Sequence, residues 1–222
     1  MLKPNTLPKR KPKDTTTRRQ PSQSRSRRSV AACLLAAQEL LERDGIDGVT
    51  TQKIAQAAGL SVGAVYSYFP NKESIICQLG EQWMDGIRER IHDLHPARSA
   101  ITDAFAYFDQ TVDMAIGQYS SNIGLGTVIN MLSAIPELRE AERKHDRAVI
   151  ESFASAFGHF WPHVAAQEFE ALARSILSMT HAALSDAIVR RNCDRELALR
   201  NLRLAGYCLI SHIMALATNR KP

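Results

Sequence analysis

Apolar residues recur along most of this chain at the three- and four-residue spacing of amphipathic helices. From Ser29 onward, Val30, Cys33, Leu34, Ala37 and Leu41 fall at i, i+3, i+4, i+7 and i+11, which is one helix face. Gly45 is placed to stop that helix, and Asp47-Gly48 reads as a turn. Thr50 is a capping residue for a short second helix over residues 51–58, with Ile54, Ala55 and Ala58 as its apolar positions. After Gly59-Leu60, Ser61 caps a third short helix over residues 62–68, which Pro70 ends. Asn71 caps a fourth helix reaching residue 94, with Glu73 in its first turn and His95-Pro96 closing it. Longer helical patterns then cover 100–119, 122–134, 136–160, 165–191 and 195–218, with breaks at Gly117, Pro136, Pro162 and Asn192-Cys193-Asp194. Strand-like alternation and a solenoid repeat are both absent, so the expected fold is all-α.

Charge placement adds a second layer. The chain has 222 residues, 45% of them hydrophobic and 23% charged, an ordinary globular balance with a net charge of +5. Residues 1–28 carry ten basic side chains against Asp14 alone, a local +9 that leaves −4 for the rest. Residues 1–26 also hold Pro4, Pro8, Pro12 and Pro21 among polar residues, so an unstructured basic arm is expected there. Such an arm suits a polyanion, whether nucleic acid or an acidic membrane surface. No run of about 18 apolar residues predicts a membrane span, and no apolar stretch follows the basic start as in a secretory signal, so a cytoplasmic protein is expected. The scattered Cys33, Cys77, Cys193 and Cys208 read as reduced thiols, mostly small buried groups.

The stretch from Gly48 to Lys72 carries the most chemistry. Two short helices joined by a three-residue glycine-containing turn have the spacing of a helix-turn-helix. Ala55 is small where the helices approach, and Gly59 can adopt the positive φ that ends the first of them. Ile54, Leu60, Val65 and Phe69 are candidates for a core shared with the preceding helix. Gly63 and Ala64 keep the third helix thin, so its backbone can come close to DNA. Tyr66 and Tyr68 project phenols toward phosphates or base edges. Thr50, Thr51 and Gln52 bring hydrogen-bonding groups and free amides of a helix start, where a phosphate is favoured, and Lys72 adds a cation.

The residues Gly45, Val49, Thr50-Thr51, Ile54-Ala55, Ala58-Gly59, Leu60-Ser61, Gly63, Tyr66, Tyr68-Phe69 and Lys72 resemble, in register, the N-terminal domain of TetR-family regulators. The resemblance covers about a fifth of the chain. It implies a homodimer with two DNA-binding heads and a divergent helical C-terminal domain that binds a small effector and dimerises. It also implies DNA contacts at Thr51, Gln52, Ser61, Gly63, Ala64, Tyr66, Tyr68 and Lys72, to which Thr50, Val62, Arg27 and Arg28 are added here. Ala64 stands where a hydroxyl residue is common in the family, and Ile46 where an aromatic is frequent. From Ser29 to Lys72 only Arg43, Lys53 and Lys72 oppose Glu39, Glu42, Asp44 and Asp47, so the arm is expected to supply much of the attraction to DNA.

The expected organisation is therefore a basic arm at 1–26, a three-helix helix-turn-helix domain at 27–74, and a helical effector-binding and dimerisation domain at 75–222. Two long helices with Leu172, Ile176, Met179 and Ala183, then Leu197, Leu202, Leu209 and Ile213, are assigned to dimerisation, which the resemblance places in the last two helices; an intramolecular core is the alternative. Ala205-Gly206 permits close helix approach there. An aromatic and sulfur-rich set, Trp83, Phe105, Phe108, Met131, Phe153, Phe157, Trp161 and Met179, is the candidate lining of a mainly apolar effector pocket, with ordinary core packing as the other reading. His159 and His163 have metal-ligand spacing, but Pro162 between them breaks the helix, so no metal is expected, nor any cofactor. No Gly-rich phosphate loop, nucleophile elbow or metal triad points to an enzyme. The expected partners are double-stranded operator DNA, a small effector and a second copy of the chain, and no membrane. The expected function is repression of transcription at a palindromic operator, relieved by a small apolar effector. An activator or a regulator without a ligand would use the same head.

Overall fold

In the computed structural model the described residues are 24–121, 124, 126 and 139–219, and every regular element among them is helical. The first element, α1, spans Ser24–Gly48 and is broken at Gly45, whose φ of 68° lies in the left-handed region. The stop expected at Gly45 is thus where the long helix ends, and a final short turn carries the chain to Gly48. Val30, Cys33, Leu34, Ala37 and Leu41 are all buried, together with Ala36 and Leu40. The helix begins five residues before Ser29, because Ser24–Arg28 contains nothing that breaks a helix and nothing apolar to announce one. Of the expected arm, residues 1–23 lie outside the described residues, and residues 24–26 belong to α1.

Three side-chain caps set the next three helices. Thr50 accepts from the Lys53 amide at 3.2 Å and starts α2, Thr51–Ala57. Ser61 accepts from the Ala64 amide at 3.1 Å and starts α3, Val62–Tyr68. Asn71 accepts from the Ser74 amide at 2.9 Å and starts α4, Lys72–Leu94. Between α2 and α3, Gly59 takes a φ of 65°. Its amide bonds the Gln56 carbonyl at 3.2 Å and the Leu60 amide bonds the Ala55 carbonyl at 2.9 Å. That paired pattern closes a helix on a left-handed residue and fixes the angle at which the next helix leaves. Val49, Ile54, Val65, Phe69 and Ile75 are fully buried in the core these helices share with α1, and Leu60 packs at its edge.

The body continues from the same α4. Its second half buries Trp83, Met84, Ile87 and Ile91 against α5, Ala104–Ser121, and α6, Arg139–Phe160. The pattern had placed the start of α5 at residue 100. It begins at Ala104 because the Asp103 carboxylate accepts from the Phe105 and Ala106 amides at 3.0 and 2.9 Å and caps the helix there. The helix expected at 122–134 lies outside the described residues apart from Gly124 and Gly126. A Cβ on Gly124 would overlap the Glu42 backbone, so the body touches α1 at that point. Next, α6 packs along α7, Ala166–Leu184, which runs on into a π-helical turn, Ser185–Arg190, and stops at left-handed Arg191. Asp194 accepts from the Leu197 amide at 2.9 Å and caps α8, Arg195–Asn219. Arg203 reaches Asp109 and Asp113 at 2.7 and 2.6 Å, and Tyr207 reaches Asp109 at 2.7 Å, tying α8 to α5. Gly206 is buried directly on Phe108, where any Cβ would overlap the ring. The close approach expected of Ala205-Gly206 is thus made within the protomer at Gly206.

Candidate nucleic-acid interface and ligand cavity

The surface at the α2–α3 turn follows from its caps. Burying Ile54, Ala55 and Val65 turns the opposite sides of both short helices outward. Thr50, Gln52, Ser61, Gly63 and Tyr66 are exposed, Tyr66 by 40%, and Val62, Ala64 and Tyr68 are half-buried. Nothing lies within 4 Å of where a Gly63 Cβ would stand, and its φ is not positive, so α3 offers a bare stretch of backbone at its first turn. Thr51 is instead buried, because it shares the inward side of α2 with Ile54 and Ala55. Lys72 is half-buried, and its ammonium donates to the carbonyls of Ile46 and Val49 at 3.3 and 3.2 Å. In this conformation Lys72 locks the start of α4 to the end of α1.

Charge on this face is organised around Asp44. Its carboxylate takes the Arg43 guanidinium at 2.8 Å and the Lys53 ammonium at 3.2 Å. The bond from Arg43, then that from Lys53, holds it well below the usual carboxylate range. Lys53, exposed on α2, was not among the expected contacts; its capping register with Thr50 was the signal that placed it on the outer side. Arg27 and Arg28 are exposed near the amino end of α1, whose first turn has no acidic residue. Cations there oppose the helix dipole, an arrangement that favours a bound anion more than it favours the helix.

A cavity of about 310 Å³ lies in the body between α4, α5, α6 and α7. From the expected pocket set, Trp83 and Phe153 line it. Phe105 and Phe108 pack edge-on against Tyr207 at 5.8 and 5.9 Å, and Phe157 packs on Tyr107 at 5.6 Å. Trp161 stacks beyond α6 on Phe160, and Met179 packs on the core outside the lining. Met131 lies outside the described residues. The lining missed from sequence is in part apolar, with Ile87, Ile91, Val112, Val149 and Ile176, and in part polar, with Tyr119, Glu142, His145, Asp146, Thr180 and His181. Glu142, His145, Asp146, Val149 and Phe153 stand at i, i+3, i+4, i+7 and i+11 on α6, so one face carries the polar group first and the apolar pair after it. That spacing was the signal; an inward face that begins polar does not register as amphipathic.

The polar end has a defined electrostatic state. His145 is 7% exposed, and Arg88 lies 3.1 Å from its Nδ1. A guanidinium only donates, so Nδ1 is the acceptor and Nε2 carries the proton. Burial first, then Arg88, pushes His145 down to about 4, against the opposing bond to the Met84 carbonyl, so it is neutral at pH 7. Tyr119 bonds His181 Nδ1 at 2.8 Å, and burial keeps its phenol protonated. Burial raises Asp146, while His181 and Arg174 oppose the rise, and burial with Asp146 nearby raises Glu142. Trp83 is 6% exposed, and among the described residues its indole nitrogen has no hydrogen-bond partner; neither has the Thr180 hydroxyl.

Elsewhere, α6 ends at Phe160, which separates His159 from His163, and His159 meets the His95 ring edge-on at 6.5 Å. No group of three or more His, Cys, Asp or Glu side chains suited to a metal occurs among the described residues. Cys33 and Cys77 are buried, and burial pushes the Cys33 thiol up; Cys193 and Cys208 are exposed, against the expectation of mostly buried thiols. No described helix is long and apolar enough to cross a membrane.

Residues 34–79 match the family model of bacterial regulatory proteins of the tetR family. No curated protein sequence matches the chain. Among solved structures, a tetR-family transcriptional regulator from Streptomyces coelicolor superposes with a TM-score of 0.68 at 18% identity, covering 88% of this chain and 84% of that one. A TetR transcription regulator from Haloarcula marismortui superposes with a TM-score of 0.67 at 21% identity, covering 83% and 97%. A TetR-family regulator from Mesorhizobium loti gives a TM-score of 0.67 at 18% identity, covering 87% and 98%. At such identities the likeness is one of fold.

Proposed function

We propose that this chain, whose residues 34–79 match the tetR-family model, is a DNA-binding regulator that works as a homodimeric repressor whose hold on a palindromic operator is released by a small, largely apolar effector. The observation that carries the DNA-binding role is the exposed α3 face: Ser61, Gly63 and Tyr66 on a helix whose departure angle is fixed by left-handed Gly59. Thr50 and Gln52 flank it from α2, with Val62, Ala64 and Tyr68 at its half-buried margin, and Arg27 and Arg28 reach toward the backbone of the duplex. Thr51, being buried, contributes through the fold of α2, and Lys72 through its grip on α1. Both are removed from the direct contacts.

Dimerisation through α7 and α8 is supported by a seam of exposed residues. On α8, Leu197, Asn201, Leu204, Cys208, Ser211 and Ala215 alternate by four and three and are all exposed. On α7, Ala171, Ser175, Ser178 and Ala182 do the same, and every one is small. Leu197 and Leu204 are 48% and 53% exposed, a cost in water that a second copy removes. Alternation by four and three is the pattern by which helices pack in bundles. The residues first assigned to the interface divide differently: Leu172, Ile176, Leu202 and Ile213 are buried within the protomer. Two heads held by such a seam would meet successive major grooves about 34–36 Å apart.

Selection from a random DNA pool with purified protein, followed by footprinting, tests this reading. A two-fold symmetric site and transcription that rises when the protein is absent are expected. Transcription that falls in its absence would make it an activator.

A further inference from the structure

The cavity wall changes character along α6. Glu142, His145 and Asp146 stand at one end and Phe153 at the other, about 10 Å beyond Asp146 at the helical rise of 1.5 Å per residue. Among the described lining residues none is Lys or Arg. The arginines around the polar end face other partners: Arg88 is on Asp85 and His145, Arg143 on Glu140 at 2.6 Å, and Arg174 on Glu170 at 3.0 Å. Arg139, which also bears on Glu142, stands outside the lining. The remaining histidine of the lining, His181, is bonded to Tyr119 through Nδ1, and burial of its ring, against the pull of Asp146, lowers it from the usual histidine range. Neutral His145 offers no positive charge either. A ligand filling this space would strip water from Asp146 and Glu142 while no lining cation compensates them. A carboxylate ligand would add a third negative charge, and a wholly apolar one would leave two carboxylates dry. The second observation is independent. The buried Trp83 indole N–H lines the same cavity with no acceptor among the described residues, and its ring is a favourable surface for a cation.

We propose that the effector is a lipophilic amine: an apolar body about 10 Å long set against Ile87, Ile91, Val149 and Phe153, a protonated nitrogen at Asp146 and Glu142, and a neighbouring oxygen that accepts from Trp83. This rests on the ligand-gated reading above and narrows it from an apolar molecule to an amphipathic cation.

Isothermal titration calorimetry on the full chain with N-octylethanolamine, decanol and decanoate tests the class. These probes share an apolar chain and differ in the charge they bring. The amine is expected to bind at least about tenfold more tightly than decanol, and decanoate more weakly than either, since a charge-assisted hydrogen bond is stronger than a neutral one. Asp146→Asn is expected to cost the amine about tenfold and to leave decanol within about twofold. Glu142→Gln provides the same comparison should Asp146→Asn fail to fold. Trp83→Phe is expected to weaken the amine and decanol alike. Decanoate binding as tightly as the amine, indifference to both carboxylate substitutions, or no binding by any probe overturns the proposal. Release of the selected operator is scored separately. Decanoate binding and releasing DNA would keep ligand gating and defeat the amine. Amine binding without release would keep the cavity's preference and defeat gating.

Discussion

Replacing Gly63 with alanine adds one methyl group to the exposed side of α3 and separates stability from function. In the free protein the new Cβ meets nothing within 4 Å, and the backbone there is an ordinary helical one. The folded state gains no strain, while the unfolded chain loses freedom, which stabilises by about 0.4–1 kcal/mol. For a chain of this size the melting temperature should rise by about 1–4 °C. On DNA the sign reverses. A methyl between a helix and a closely packed surface has to displace one of them, at a cost of about 1–3 kcal/mol. That corresponds to a loss of affinity of about 5- to 150-fold. Gly63→Leu should lose more, with the same undisturbed fold. Differential scanning calorimetry and fluorescence anisotropy on the selected operator, at one fixed salt concentration, measure the two effects. If both variants bind as the parent does, α3 does not press its thin side on the duplex and the docking geometry is wrong. If the alanine variant melts earlier, the local account of α3 is wrong.

Exchanging Arg27 and Arg28 for alanine should flatten the slope of log affinity against log salt by about 0.9 for each phosphate no longer neutralised, whereas removing residues 1–23 tests the remaining basic arm in the same assay. An unchanged slope in both would place the attraction elsewhere. Leu204→Arg puts a charge at the centre of the α8 seam and should yield folded monomers in sedimentation; an intact dimer would move the interface off α7 and α8. Gly206→Ala should destabilise by about 1–3 kcal/mol in urea, because its methyl overlaps Phe108, and a neutral result would show that α8 can shift freely on α5. His145 is held down to about 4 in the folded protein against 6.5 unfolded, so below 6.5 the unfolded chain binds the extra proton. Its contribution is fully present above pH 6.5 and is lost as pH falls toward 4, by about 3 kcal/mol in all. Asp146 and Glu142, raised on folding, act in the opposite direction, so the comparison is between the parent and His145→Gln across that window.

The head was legible because its structure is written locally. Thr50, Ser61 and Asn71 each bond an amide three residues ahead, and Gly59 closes a turn with residues at most five positions away. Such signals survive in a single sequence. Thr51 and Lys72 were placed by family pattern, and their actual surroundings depend on how α2 and α4 sit against α1, which no spacing states. The body hid more. The aromatic residues that stood out as pocket candidates are mostly core, since large apolar side chains fill space wherever helices cross. The cavity's polar end was masked because Glu142 and Asp146 look like solvated surface on α6. The α7 half of the proposed seam was masked for a related reason: Ala171, Ser175, Ser178 and Ala182 carry almost no hydrophobic signal, yet small side chains are what would let two helices draw close.

One helix, α4, belongs to both halves of the molecule. Ile75, Ile76 and Leu79 are buried in continuity with the first three helices, and Trp83, Met84, Ile87 and Ile91 in continuity with the body. A boundary at residue 74 therefore cuts a helix rather than a linker, and a fragment ending there would expose side chains that its own core requires. The chain should melt as a single cooperative unit, with one heat-absorption peak per protomer and no separately folded head. For the same reason, whatever stabilises the cavity will also be felt as added protection of backbone amides in α2 and α3.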